Sequence, residues 1–126
     1  MRAVDTNVLV RLLMRDDPKQ AAAAETFVAG GAWLPHVVLA ELLWVLDSAY
    51  GLKRDQLGLA VDMLLQHEHI TMQDADVVEV ALELFRSHSA DFSDCLILAT
   101  ARKAGHLPLG TFDRGLSRLE GAELVH

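Results

Sequence analysis

Four carboxylates in this 126-residue chain stand against apolar neighbours: Asp5, Glu41, Asp94 and Asp113. Glu41 is the sharpest case. Residues 37–46 read Val-Val-Leu-Ala-Glu-Leu-Leu-Trp-Val-Leu, so its helical neighbours three and four positions away are Val37, Val38, Trp44 and Val45. No basic residue lies within a turn of it. A buried, ionised carboxylate must find a partner, take up a proton or bind a cation, and several such groups in one small chain suggest a shared cation. At an effective dielectric near 20, two carboxylates about 4 Å apart repel by roughly 4 kcal/mol. One or two magnesium ions would relieve that repulsion. Magnesium takes oxygen ligands at about 2.0–2.1 Å and keeps several waters, one of which can attack a phosphate whose charge the metal offsets.

Each acid also has a structural reading. Asp5 fits the N-cap of a first helix, and Asp91 with Asp94 resembles a helix-start pair in which Asp91 is the better cap. Asp113, in Thr-Phe-Asp-Arg-Gly, fits a plain turn. Capping explains these singly but leaves Glu41 unexplained. Asp47, Asp55, Asp62, Asp74, Asp76, Glu79 and Glu83 fall on polar faces or helix starts and read as solvated surface. His67-Glu68-His69 lacks the i, i+4 spacing of a zinc helix, and no glycine-rich phosphate loop is present.

The elements that must position the acids follow from periodicity and punctuation. Residues 2–5 predict a short strand running into a helix from Thr6 to about Met14. Asp16-Asp17-Pro18 starts a second helix, which ends near Ala29 at Gly30-Gly31. Ala32–Leu34 is a strand; Pro35 opens the helix carrying Glu41, which ends near Tyr50 at Gly51. A helix from about Lys53 to Gln66 and a strand at His69–Met72 follow. The spacing of Val77, Val78, Ala81, Leu82 and Phe85 predicts a helix over Asp74–His88. Another spans Asp91–Ala104 and stops at Gly105. A strand at Leu107–Thr111, a turn at Gly115–Leu119 and an edge strand at Glu123–Val125 complete the chain. Strands separated by helices require crossovers, and crossovers build a parallel sheet covered on both faces. The expected class is α/β, three-layered, with one domain over residues 1–126. Ligands in such sheets bind beyond the carboxyl ends of the strands, where Asp5 and Asp113 fall.

Composition narrows the function. The chain is 52% hydrophobic with 8 Gly and 3 Pro, enough apolar material for one core. No segment approaches the roughly 20 apolar residues of a membrane span, and Met-Arg-Ala-Val-Asp does not open a signal peptide, so a soluble cytoplasmic protein is expected. Cys95 is the single cysteine and reads as core rather than nucleophile. A net charge of −7 argues against coating nucleic acid by overall field. It does not exclude a nuclease whose metal inverts the local potential, and Arg11, Arg15 and Arg114 lie near two of the acids in sequence.

Val4-Asp5-Thr6-Asn7 after the first strand, Glu41 in an apolar helix, Ala90-Asp91-Phe92-Ser93-Asp94-Cys95-Leu96-Ile97 opening a late helix, and Thr111-Phe112-Asp113 after the next strand resemble the PIN domain. In size and motif spacing the chain is similar to the VapC-type ribonuclease toxins of bacterial toxin–antitoxin pairs, over essentially its whole length. The resemblance implies a three-layer α/β/α fold with a central parallel sheet and a Mg2+- or Mn2+-dependent endoribonuclease. It also implies an RNA substrate, a cognate antitoxin and a homodimer. By position, Asp5 and Asp94 match the principal metal ligands, Glu41 the third acid and Asp113 a fourth, less regular one. Thr6 matches a hydroxyl near the site and Asn7 a residue bracing the loop. A PIN nuclease of RNA processing without an antitoxin is the alternative. A receiver domain would also be parallel α/β and hold magnesium, but it needs a mid-chain phosphoacceptor Asp ending a strand and a late-strand Lys. Here Asp47, Asp55 and Asp62 lie in helical patterns and Lys103 in a helix. A catalytically silent interaction module is a further alternative. The apolar surplus around Leu42, Leu43, Trp44 and Leu46 suggests that part of that helix buries against a partner or a second copy of the chain.

Overall fold

The computed structural model describes residues 1–126. They divide into two compact units, Met1–Ala75 and Asp76–His126. The first runs β1 (Arg2–Ala3), α1 (Thr6–Met14), α2 (Pro18–Ala29), β2 (Ala32–Leu34), α3 (His36–Ser48), α4 (Arg54–Gln66) and β3 (Ile70–Met72). Its strands form one parallel sheet in the order β1-β2-β3, with Arg2 opposite Ala32 and Ala32 opposite Ile70. Each crossover is a helix pair, as parallel pairing demands. β2 and β3 bury their first and third residues and expose the second, so Ala32, Leu34, Ile70 and Met72 enter the core while Trp33 and Thr71 point out. β1 is shorter than residues 2–5: the Val4 amide still donates to the Trp33 carbonyl of β2 at 3.0 Å, but Asp5 turns to cap α1.

Local chemistry fixes the helix ends. Pro18 sits in the first turn of α2, and Asp17 Oδ1 accepts from the Gln20 amide at 3.1 Å. Small buried residues, Ala21 and Ala24, let α2 approach α1 closely. The Arg2 guanidinium lies 3.9 Å over the Phe27 ring. α3 starts at His36, whose amide donates to Gln73 Oε1 at 2.8 Å and whose Nε2 donates to the Gln73 carbonyl at 2.6 Å. It buries Leu39, Leu42, Leu43 and Leu46. Gly51 then takes φ +66, a left-handed turn that side chains disfavour.

The second unit runs through α5 (Ala75–Ser87, which begins at the boundary), α6 (Phe92–Ala104), β4 (Leu109–Thr111), α7 (Arg114–Ser117) and β5 (Ala122–Leu124). β4 and β5 pair in parallel, Leu109 opposite Ala122. β4 begins after Pro108, which has no amide to donate, and the expected turn near Gly115 is the one-turn helix α7. Phe85 of α5 meets Phe92 of α6 edge-on at 5.7 Å. Cys95 is fully buried and its thiol faces the Ala90 carbonyl at 3.9 Å, the core role expected of it. No helix is long and apolar enough to cross a membrane.

Candidate active site

In the first unit, the start of α1 and the second turn of α3 bring two expected site residues into contact. Asp5 is the N-cap of α1, with extended backbone and Oδ1 accepting from the Thr6 amide at 2.7 Å. That bond occupies one carboxylate oxygen. Thr6 is the one buried polar residue of the chain, 4% exposed, and its hydroxyl donates to Glu41 Oε1. Thr6 thereby orients the Glu41 carboxylate. Asn7 lies exposed in the first turn of α1.

Glu41 itself corrects an expectation. Its apolar neighbours do not bury it: Val37 and Trp44, on the same helix face, are 80% and 69% exposed, and Glu41 is exposed with them. Surrounding a helix position with apolar side chains implies burial only if that stripe faces the core. In α3 the leucines face it instead. Asp5 and Asp113 are exposed as well.

In the second unit the carboxylates crowd. Asp94 stands in the first turn of α6, half-buried; burial pushes its carboxyl above the ordinary range, and the charges of Asp91 and Asp113 push it the same way. Nothing cationic offsets them. Asp91 occupies the N-cap position of α6, yet its side chain makes no capping bond. Asp91 is thus the cap by position, as expected, but not by a side-chain bond, and its charge acts on Asp94. The Asp-x-x-Asp spacing carried that signal, since residues three apart at a helix start share a face. Asp113 follows β4 and caps α7, its Oδ1 accepting from the Leu116 amide at 3.1 Å while its own amide donates to Thr111 Oγ1 at 3.0 Å.

Two of the arginines near the acids in sequence are committed elsewhere. Arg11 holds Asp16 at 3.1 Å and Gln20 at 2.6 Å, and Tyr50 donates to the other oxygen of Asp16 at 2.8 Å. Arg15 pairs with Glu25 at 3.2 Å. No group of three or more His, Cys, Asp or Glu side chains stands in metal-ligating geometry; in His67-Glu68-His69, His69 pairs with Glu68 at 3.1 Å and its amide donates to His67 Nδ1 at 3.1 Å. Magnesium needs less than such a cage, being commonly held through one or two carboxylates with waters completing the shell. The hard-oxygen, uncompensated set around Asp94 suits that mode.

The Thr6–Glu41 bond gives a direct test. Thr6→Val keeps the shape and removes the hydroxyl, and should cost about 1 kcal/mol, roughly 3–6 °C in melting temperature for a chain of this size. In a Glu41→Ala background the same change should cost clearly less. Equal losses in both backgrounds would assign Thr6 to packing alone.

Parallel strands joined by helices, with acids at a strand exit and at helix starts, define the class as α/β with its polar chemistry at element ends. The chain belongs to the PIN domain family, whose model matches residues 2–122. It is similar to the VapC ribonuclease of Aquifex aeolicus (strain VF5), 24% identical over 124 residues that cover 94% of this chain and 92% of that one.

Proposed function

We propose that this chain, as a single domain, is a Mg2+- or Mn2+-dependent endoribonuclease that cuts single-stranded or looped RNA in the cytoplasm. On this reading it is the toxin of a toxin–antitoxin pair and works as a homodimer. Supporting the reading are the family membership and the relative named a ribonuclease. The observation that carries it is the crowding of Asp91 and Asp113 on half-buried Asp94 with no cation to offset them.

In this reading Asp5, Asp94, Glu41 and Asp113 hold the metal directly or through water. When bound, the metal would supply a water acidic enough to attack and a positive charge against the phosphate. Thr6 keeps the Glu41 carboxylate oriented. The caps hold Asp5 and Asp113 rigid: each ties down one oxygen through a backbone amide and leaves the other for a ligand or a water. An antitoxin that inserts an Arg or Lys would satisfy the same acids in place of the metal.

A mixed pool of small RNAs incubated with the chain should yield fragments with magnesium or manganese and none with EDTA. Cleavage that survives EDTA would end the metal-dependent reading.

A further inference from the structure

Between them α1 and α2 hold a cavity of about 310 Å3, and every residue that lines it belongs to the first unit. Gln20, Ala24 and Phe27 fall at i, i+4 and i+7 and form one stripe of α2. Ala23 and Ala24 carry only a methyl group each, which leaves the space open. Seven residues of helix rise about 10 Å, so the cavity is a slot two turns long. Its walls are Phe27, the two alanines and Val8 of α1; its polar groups are Gln20 and, from α1, Asn7 and Arg11. Apolar walls with a few polar groups make a small-ligand site, and this volume lies at the small end of that class.

The polar edge is already arranged. Arg11 Nε donates to Gln20 Oε1 at 2.6 Å, while the same guanidinium is held by Asp16 at 3.1 Å and by Tyr50. With its oxygen engaged, the Gln20 amide offers N–H groups to an occupant, and Asn7 offers both a donor and an acceptor. The Phe27 ring carries the Arg2 guanidinium 3.9 Å over one face; Arg2 does not line the slot, so an occupant meets the ring elsewhere. Asp5 and Val8 stand three residues apart at the start of α1 and share a side of it. The slot therefore begins one turn from a candidate metal ligand.

We propose that this slot takes one unpaired purine of the RNA substrate and so biases where the strand is cut. The inference rests on the nuclease reading above and adds a base preference to it. A purine has two fused rings, enough to lie along the alanines to Phe27 while its N7 accepts from Gln20; a single-ring pyrimidine serves one end only. Amide side chains are suited to that edge, as in their paired bonds to adenine. A phosphate is the wrong occupant, because the walls are apolar and Arg11 is already paired with Asp16. An apolar side chain from a protein partner would strip water from Asn7 and Gln20 and return no hydrogen bond. A base returns them. Bases inside a duplex are stacked between their neighbours and cannot enter, so the slot acts on single strands.

The full chain tests this in two ways. Cleavage of a randomised single-stranded RNA in magnesium, read by sequencing the new ends, should show purines enriched about tenfold at one fixed position beside the cut. Ala23→Trp fills the slot from an exposed position, and Gln20→Glu keeps the acceptor for Arg11 while removing the N–H donors. Each should erase the enrichment while the pool is still cut. Separately, AMP and GMP should shift the backbone-amide NMR signals of Ala23, Ala24 and Phe27, UMP and CMP should not, and Ala23→Trp should abolish the response. No purine enrichment in the wild type, enrichment that survives either folded variant, or equal shifts from all four nucleotides would overturn the proposal while leaving the nuclease reading intact. So would an Ala23→Trp chain with its base preference unmoved that the antitoxin no longer restrains, which assigns the slot to the protein partner. If the wild type cuts no RNA, the nuclease reading falls, and the nucleotide spectra alone then decide whether the slot takes a purine.

Discussion

Asp94→Asn should lower RNA cleavage by roughly a thousandfold, the equivalent of several kcal/mol of transition-state charge stabilisation, and leave the chain folded. The half-buried Asp94 makes this the most telling substitution, because its stability effect has a definite sign. Burial, then Asp91 and Asp113, raise its pKa in the folded chain above the ordinary 3.8. The folded state therefore keeps the proton at pH values where the unfolded state has released it. Stability accordingly falls as pH rises from about 3.8 through the folded pKa, and the cost persists above it. Asn carries no such cost. In metal-free buffer the variant should match the wild type below that window and melt at the same or a higher temperature near neutrality. Added magnesium should raise the wild-type midpoint more than the variant's, since a ligand stabilises the state that binds it. Full activity in the variant would remove Asp94 from the mechanism, and equal magnesium shifts would remove it from the metal site.

Expression of the wild-type chain alone in a bacterial host should arrest growth. Asp5→Asn should abolish the arrest, and co-expression of the product of the adjacent gene should relieve it. The expectation follows from the proposed toxin role and from an acidic site suited to capture by a basic side chain, with complementary charge speeding the encounter. The readout is colony count and growth rate after induction, with protein level checked by immunoblot. A chain that cuts RNA in vitro and is harmless at high expression would belong to RNA processing or decay, without an antitoxin.

Much of the fold was legible because its signals are local. Ala32–Leu34 was placed to the residue, and α2, α5 and α6 to within one or two, since proline, glycine and apolar spacing mark their ends directly. The strand pairings are parallel, as the alternation of strands and helices required. What local signals could not give was orientation. Glu41 looked buried because a helix apolar all round is usually a core helix, yet α3 turns Leu39, Leu42, Leu43 and Leu46 inward and leaves Val37 and Trp44 outside. The sequence shows which residues share a stripe, whereas the side facing the core depends on packing partners distant in sequence. The same limit hid the Arg11–Asp16–Tyr50 cluster, whose members are up to 39 residues apart. At the site, the Asp5 cap and the Thr6 position were readable. The Asp-x-x-Asp spacing showed that Asp91 and Asp94 share a face, but not that Asp91 leaves its side chain uncapped and acts on Asp94 by charge, because a helix-start acid offers the same letters in either case.

Asp5 and Asp113 each fasten a helix start through a side-chain oxygen, and asparagine performs that task about as well as aspartate. Their codons differ by a single base transition. The fold therefore sets almost no selective barrier against silent descendants: one such change at either position removes a carboxylate and keeps the scaffold. On the proposed toxin reading, copies inactivated in this way would persist as folded decoys, still displaying the surfaces of the active chain and competing with it for the antitoxin.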